Sequence, residues 1–218
     1  SADKGQTWEP ANRGLSAAFI SDLGFIGPSL FVAAEGVGLF RSDDAGATWT
    51  ELRVLSQRFI VSLFLDPLNP GTIFAGTWGD GAFRSSDYGN TWSQIGIGGQ
   101  GYALCFCSIP DAVDGTIWFA GTPYGMFRSE GNSWIQIDKG LSRGSVDRLM
   151  SCHDEAGNWH VFATEDFGEL ARLLPDRKSW ELVPGSGQVL AVPNGRGGSD
   201  LLGGARHMAR STDYGNTW

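Results

Sequence analysis

Apolar residues in this 218-residue chain come in short runs closed by glycine, proline or a polar cluster. Between the tryptophans at 49 and 92, the run 59–66 (FIVSLFLD) suits a buried inner strand, and Pro67 closes it. A second short strand is predicted over 72–77 (TIFAGT) and a third over 81–85 (GAFRS). Residues 92–95 (WSQI) alternate apolar and polar, as an outer, half-exposed strand does. The same order returns in FVAAE, GLFRS and WTEL, in WFAGT, GMFRS and WIQI, and in VFATE and WELV. Alanine and glycine in each second strand leave room for a neighbouring sheet to approach. No capped apolar pattern of helical period is long enough to compete, so the chain reads as all-β.

Self-similarity groups these strands. The stretch Ser1-Ala2-Asp3-Lys4-Gly5-Gln6-Thr7-Trp8 recurs as Ser42-Asp43-Asp44-Ala45-Gly46-Ala47-Thr48-Trp49 and as Ser85-Ser86-Asp87-Tyr88-Gly89-Asn90-Thr91-Trp92. A fourth full copy is Ser211-Thr212-Asp213-Tyr214-Gly215-Asn216-Thr217-Trp218. Two worn copies lie between, Ser129-Glu130-Gly131-Asn132-Ser133-Trp134, shorter by two residues, and Asp176-Arg177-Lys178-Ser179-Trp180. The closing tryptophans at 8, 49, 92, 134, 180 and 218 are separated by 41, 43, 42, 46 and 38 residues, which average 42. That period is the length of a four-stranded propeller blade. The expected organisation is a single β-propeller domain over 1–218 with about five blades. Its repeats run approximately 1–10 (partial), 11–52, 53–95, 96–137, 138–183 and 184–218. A closed five-bladed ring would need Trp8-Glu9-Pro10 as the missing outer strand, and the boxes at 1–8 and 211–218 would then compete for one turn. Starting and stopping on the same motif favours a segment of a longer propeller.

The box S-x-D-x-G-x-T-W resembles the Asp-box, also called the BNR repeat. This repeat is found in sialidases, sortilin-type receptors, xyloglucan-degrading endoglucanases and photosystem II assembly factors of the Ycf48/Hcf136 type. The resemblance covers the whole chain and implies a propeller of four-stranded antiparallel blades with Asp-box turns between the third and fourth strands. It also implies an extracytoplasmic location, secreted or periplasmic. It does not imply one chemistry, because these families share the box and not the activity.

Within the box, Ser and Asp side chains hydrogen-bond their own turn, glycine permits positive φ, and tryptophan buries its face between blades with its indole N–H partnered. Asp3, Asp44, Asp87 and Asp213 are therefore structural, as are Gly46, Gly89 and Gly215 and the tryptophans Trp8, Trp49, Trp92, Trp134, Trp180 and Trp218. Their recurrence carries the argument, because an active site needs one constellation and not one per blade. Arg41, Arg84, Arg128, Arg172 and Arg210 recur in the same way and are repeat features. A sialidase would need a tyrosine–glutamate nucleophile pair, which is not placed in this sequence, so a sialidase is the lesser form of a glycoside hydrolase reading.

Composition narrows the partners. Glycine is 32 of 218, about twice the usual share, and a hydrophobic fraction of 41% excludes a disordered chain. No stretch approaches 18 uninterrupted apolar residues, which argues against membrane insertion by a helix. Sixteen basic and 24 acidic residues give a formal charge of −8, which argues against nucleic acid and anionic lipid as partners. Cys105, Cys107 and Cys152 form no CxxC, and His153, His160 and His207 are not at metal-ligand spacing. No metal or cofactor is expected. Cys107 and Cys152 fall at equivalent ends of adjacent inner strands, with two buried free thiols expected over a cross-blade disulfide.

A binding site is expected on the face opposite the boxes, where the turns between second and third strands meet the blade-to-blade connections. Those turns carry Glu35, Trp78, Asp80, Tyr124, Glu165, Asp166, Phe167 and Arg206, and the connections add Arg58, Arg143 and the glycine-rich 96–101. Trp78, Tyr124 and Phe167 are repeat-equivalent, and Trp78, Asp80, Tyr124, Phe167, Arg58, Arg143 and Arg206 are the candidate ligand contacts. The expected function is a non-catalytic scaffold for a protein partner or a polysaccharide. The alternative is a glycoside hydrolase, resembling a lobe of the xyloglucan-degrading enzymes, with its acids drawn from Asp80, Glu165, Asp166 and Glu35.

Overall fold

The computed structural model describes residues 1–218 apart from 2, 17, 18, 100, 114, 143 and 205–207, and apart from the side chains of Phe167 and Ser186. Its strands form five antiparallel sheets, each built in chain order. The first sheet holds β1 (Ile20–Ile26), β2 (Ser29–Ala34), β3 (Gly38–Ser42) and β4 (Thr50–Glu51). The second holds β5 (Ile60–Leu65), β6 (Ile73–Thr77), β7 (Ala82–Ser85) and β8 (Ser93–Ile95). The third holds β9 (Cys105–Asp111), β10 (Gly115–Thr122), β11 (Gly125–Glu130) and β12 (Ser133–Gln136). The fourth holds β13 (Val146–His153), β14 (Trp159–Glu165), β15 (Glu169–Leu173) and β16 (Trp180–Ser186). The fifth has three strands, β17 (Gln188–Pro193), β18 (Ser199–Gly204) and β19 (Ala209–Ser211).

Each first strand packs beside the first strand of the next sheet, β1 by β5, β5 by β9, β9 by β13 and β13 by β17. All five border one axial cavity of about 490 Å³, whose walls include Asp22, Ser62, Cys105, Asp147 and Leu190. The chain is a β-propeller, and each sheet is a blade. Helical backbone among the described residues is limited to the three-residue 3₁₀ turns Arg53–Leu55 and Asp166–Gly168.

The core is a series of layers between blades. Phe31, Ala33 and Leu39 of the first blade meet Ile60, Ile73 and Phe83 of the second. Phe74 and Ala82 of the second meet Phe106, Ala120 and Phe127 of the third. Small residues in the second strands permit this spacing: a Cβ on Gly76 would lie 2.1 Å from the Ala103 carbonyl oxygen of the following connection. The third and fourth blades enclose Ile109, Phe119, Met126, Val161 and Leu173, and the fourth and fifth enclose Phe162, Leu170 and Leu201.

Two of the closing tryptophans, Trp49 and Trp180, pair outward from their outer strands. The Trp49 N–H donates to the Arg13 carbonyl at 2.8 Å and its indole N–H to the Ala11 carbonyl at 2.8 Å. Trp180 repeats this with Lys139 and Ile137, both at 2.7 Å. The segment entering each of these blades thus straps its own outer edge, which would otherwise present unpaired backbone. Glycine is required on the strap: at Gly140, φ is +101° and a Cβ would sit 1.8 Å from the Trp180 carbonyl oxygen.

One expectation is corrected. Trp8 is not buried between blades; it is 79% exposed, and Trp8-Glu9-Pro10 form no strand with β19. Leu23 and Phe25 of β1, equivalent to the packed Leu63 and Leu65 of β5, are 67% and 74% exposed. No disulfide joins Cys107 and Cys152, which are free and belong to different layers, the third-to-fourth and fourth-to-fifth.

Candidate functional site

Four turns of identical construction mark one end of the blades. In the turn after β3, the Asp44 Oδ1 accepts from the Ser42 hydroxyl at 2.7 Å and the Thr48 N–H at 2.8 Å, and Oδ2 accepts from the Thr48 hydroxyl at 2.5 Å. The Ser42 hydroxyl oxygen accepts from the Gly46 N–H at 2.8 Å. Asp3, Asp87 and Asp213 hold the same bonds. The residue before each glycine also lies in the left-handed region, with φ of 59°, 58°, 59° and 56° at Lys4, Ala45, Tyr88 and Tyr214. Sequence reasoning assigned that conformation to the glycine alone.

Hydrogen bonds from the paired threonine, side chain first and backbone second, hold the carboxyls of Asp3, Asp44 and Asp213 down to about 2. A folded-state value below the ordinary 3.8 means these groups stabilise the fold above that pH. The contribution is lost as the pH falls through about 2. Urea midpoints are therefore expected to fall between pH 4 and pH 2. Asp44→Asn should lower the midpoint at pH 7 and flatten the acid limb; an acid limb unchanged in the variant would refute the assignment.

Three of the repeated arginines tie their blade to the next turn. Arg41 Nη1 donates to the Tyr88 carbonyl at 3.0 Å and to Asn90 Oδ1 at 3.1 Å. Arg172 donates from Nη1 to the Tyr214 carbonyl at 3.0 Å and from Nη2 to Asn216 Oδ1 at 3.1 Å. Arg128 reaches the Arg177 carbonyl at 3.3 Å.

On the opposite end, Trp78 and Tyr124 stand about half exposed, at 57% and 51%. A ring absent from the sequence candidates, Tyr102, joins them: its centroid lies 5.0 Å from Trp78 at 79° and 6.0 Å from Tyr124 at 58°. The backbone sets this row. Trp78 and Tyr102 form an antiparallel bridge, and the Gly101 carbonyl accepts from Gly79 N–H at 2.6 Å and Gly81 N–H at 3.0 Å. Tyr102 follows directly on the glycine-rich connection, the one signal that would have found it. Beside Trp78, Arg58 Nη1 meets Asp80 Oδ1 at 3.0 Å, and its guanidinium lies 4.7 Å over the Phe83 ring. Arg143, Arg206 and the Phe167 side chain lie outside the described residues.

The proposed acids fall on three blades, Glu35 on the first, Asp80 on the second and the adjacent Glu165 and Asp166 on the fourth. Asp80 pairs with Arg58 in the second, Glu35 is exposed in the first, and Glu165 is fully buried in the fourth, accepting from the Ser142 N–H at 3.0 Å. Asp166 lies near Asp147, which borders the axial cavity. Burial first, then the Asp166 charge, raise Asp147 above the ordinary carboxylate range. Burial pushes the Cys107 thiol well up and Cys152 to about 12, so neither is a nucleophile at neutral pH. Among the described residues, no three His, Cys, Asp or Glu side chains are grouped to hold a metal.

A larger cavity, about 700 Å³, opens at the boxed end around Trp159, His160, Arg172, Arg177 and Glu181. Its ions are mutually engaged: Arg172 with Glu181 at 2.5 Å, Arg177 with Asp111, and His160 with Asp154 at 3.4 Å while stacked 4.6 Å from Tyr214.

No protein-family model matches the chain, and no curated protein matches it. Solved structures do. An ancestral GH74 enzyme superposes with a TM-score of 0.66 at 14% identity over 91% of this chain and 31% of the other. YCF48 bound to D1 peptide gives 0.58 at 17% identity over 94% and 69%. The RRP9 WD40 repeats give 0.65 at 10% identity over 94% and 62%. This chain thus spans about a third of the GH74 enzyme. Identities this low establish the propeller fold and leave the activity to the site.

Proposed function

We propose that this chain is a non-catalytic β-propeller that binds a protein or peptide partner at the end opposite the boxed turns. The observation that carries the reading is the row Trp78–Tyr102–Tyr124 beside the Arg58–Asp80 pair. Tryptophan, tyrosine and arginine are the residue types that dominate interface energetics. Ring tilts of 79° and 58° make a corrugated surface suited to interdigitating side chains, where a pyranose prefers one flat ring face. The likeness to YCF48 bound to D1 peptide supports a peptide-binding use of such a fold.

The second reading is a polysaccharide-binding or glycoside-hydrolysing lobe, supported by the likeness to a GH74 enzyme and by the same exposed rings. A displayed peptide library panned on the protein, run beside a glycan array and a turnover screen on plant and bacterial polysaccharides, separates the two. Selected peptides are expected to lose at least tenfold in affinity on Trp78→Ala, about 1.4 kcal/mol, with the urea midpoint unchanged. Polysaccharide turnover that Asp80→Asn or Glu165→Gln abolishes would overturn the non-catalytic reading.

A further inference from the structure

Five arginines occupy one position of the repeat on β3, β7, β11, β15 and β19, and four of them have a carboxylate partner. Arg41 pairs with Asp43 at 2.8 Å, Arg128 with Glu130 at 3.1 Å, Arg172 with Glu181 at 2.5 Å, and Arg210 with Asp200. Three also donate to a backbone carbonyl of the following blade's turn. Arg84 does neither. Its guanidinium has no hydrogen bond or ion pair among the described residues, and its Nε is buried without a partner. The Nε of Arg128 is also unpartnered, but there both terminal nitrogens are engaged.

The sequence explains the exception twice over. Where the first blade has Asp43 the second has Ser86, and where the fourth has Glu181 the second has Ser93. The third blade's turn, 129–134, is two residues shorter than the full box, so it returns no carbonyl to Arg84. Between β8 and that short turn lies a cavity of about 240 Å³ bordered by Arg84, Ser93, Asn132, Phe74, Trp118 and Trp134. The Arg84 Cζ sits 4.4 Å over the Trp118 ring and 5.7 Å from the Phe74 ring. Rings engage the face of a guanidinium, whereas its five donors lie in the plane and need oxygen acceptors.

We propose that this cavity is a carboxylate-binding site. In-plane N–H groups of Arg84 donate to the two oxygens of the acid, and the apolar remainder of the ligand lies among Phe74, Trp118 and Trp134. The volume is below the 300–1,000 Å³ of drug-sized sites, so the ligand is small: a free aromatic or short aliphatic acid, or the carboxyl end of a peptide. The site is at the boxed end, away from the Trp78–Tyr124 row, and stands whether or not that row binds a partner.

The test is a titration followed on the Arg84 Nε–H resonance, using benzoate and benzamide, and acetyl-Gly-Phe as free acid and as amide. Both acids are expected to shift the resonance saturably, and both amides to leave it in place. A peptide acid at least tenfold tighter than benzoate assigns the source as a chain end; equal or weaker binding assigns a free small acid. Arg84→Gln, which removes that resonance, should weaken benzoate at least tenfold when binding is followed by isothermal titration calorimetry. Ser86→Asp guards against a variant that fails to fold: it supplies the carboxylate that Asp43 supplies to Arg41. It should abolish the benzoate response and raise the urea midpoint. Amides that bind like acids, or benzoate binding that survives Ser86→Asp in full, would overturn the proposal.

Discussion

Replacing Phe74 by alanine will destabilise the fold by about 3–5 kcal/mol, the range measured for large aromatic truncations in packed cores. Phe74 is fully buried at the layer between the second and third blades. Its ring stacks 5.2 Å from Phe106, tilts 5.7 Å from Trp118 and meets Trp134 edge-on at 6.4 Å. A truncation there leaves a void that three neighbouring rings, each fixed on its own strand, have little freedom to fill. Against a typical total of about 5–15 kcal/mol, such a loss removes roughly a fifth or more of the stability. The midpoint in urea should fall with the slope unchanged. A loss under about 1 kcal/mol would mean that the layer collapses around the void and that packing here is loose.

Asp66→Ala is the second large effect, expected to cost about 3 kcal/mol or more, because it leaves several buried donors without an acceptor at about 1–3 kcal/mol each. Asp66 is 1% exposed and ends the inner strand of the second blade. Its Oδ1 accepts from the Leu68 N–H at 3.0 Å and the Ser108 hydroxyl at 2.8 Å. Its Oδ2 accepts from Asn69 Nδ2 at 2.8 Å and from the Trp118 indole at 2.7 Å. Ser108 and Trp118 belong to the third blade, so one carboxylate closes a polar joint between blades. Asp66→Asn should not rescue it, because the amide nitrogen would face donors on either side. Recovery of wild-type stability by the asparagine variant would show that shape and not acceptor count matters at this joint.

Much of this architecture was legible in short sequence windows. The run 59–66 became β5, TIFAGT became β6 and GAFRS became β7, each within a residue or two at its ends. The box spacing placed the turns, and the turn chemistry followed from the side chains of Ser, Asp and Thr four residues apart. One further pattern is legible in the sequence. Ala11-Asn12-Arg13-Gly14-Leu15-Ser16 and Ile137-Asp138-Lys139-Gly140-Leu141-Ser142 are the same strap, marked by a glycine that the Trp49 and Trp180 carbonyls leave no room to replace.

Trp78 and Tyr124 were picked out by repeat position, but Tyr102 was not, because it sits on a connection with no fixed place in the repeat. The Arg84 cavity was hidden for a different reason: every arginine of the series looks alike until its partner's distance is known.

The sequence by itself determined the all-β class, the 42-residue blade, the order of strands within it and the boxed turns. These depend on alternation and turn chemistry, which act between residues a few positions apart. Only the tertiary structure decided that Tyr102 stands between Trp78 and Tyr124, that Asp66 joins two blades and that Arg84, alone of five, lacks an acceptor among the described residues. The reason is one of distance along the chain. Asp66 and Ser108 are 42 residues apart and Arg41 and Asn90 are 49 apart. Such pairs meet only once the layers between blades have set how closely neighbouring sheets approach.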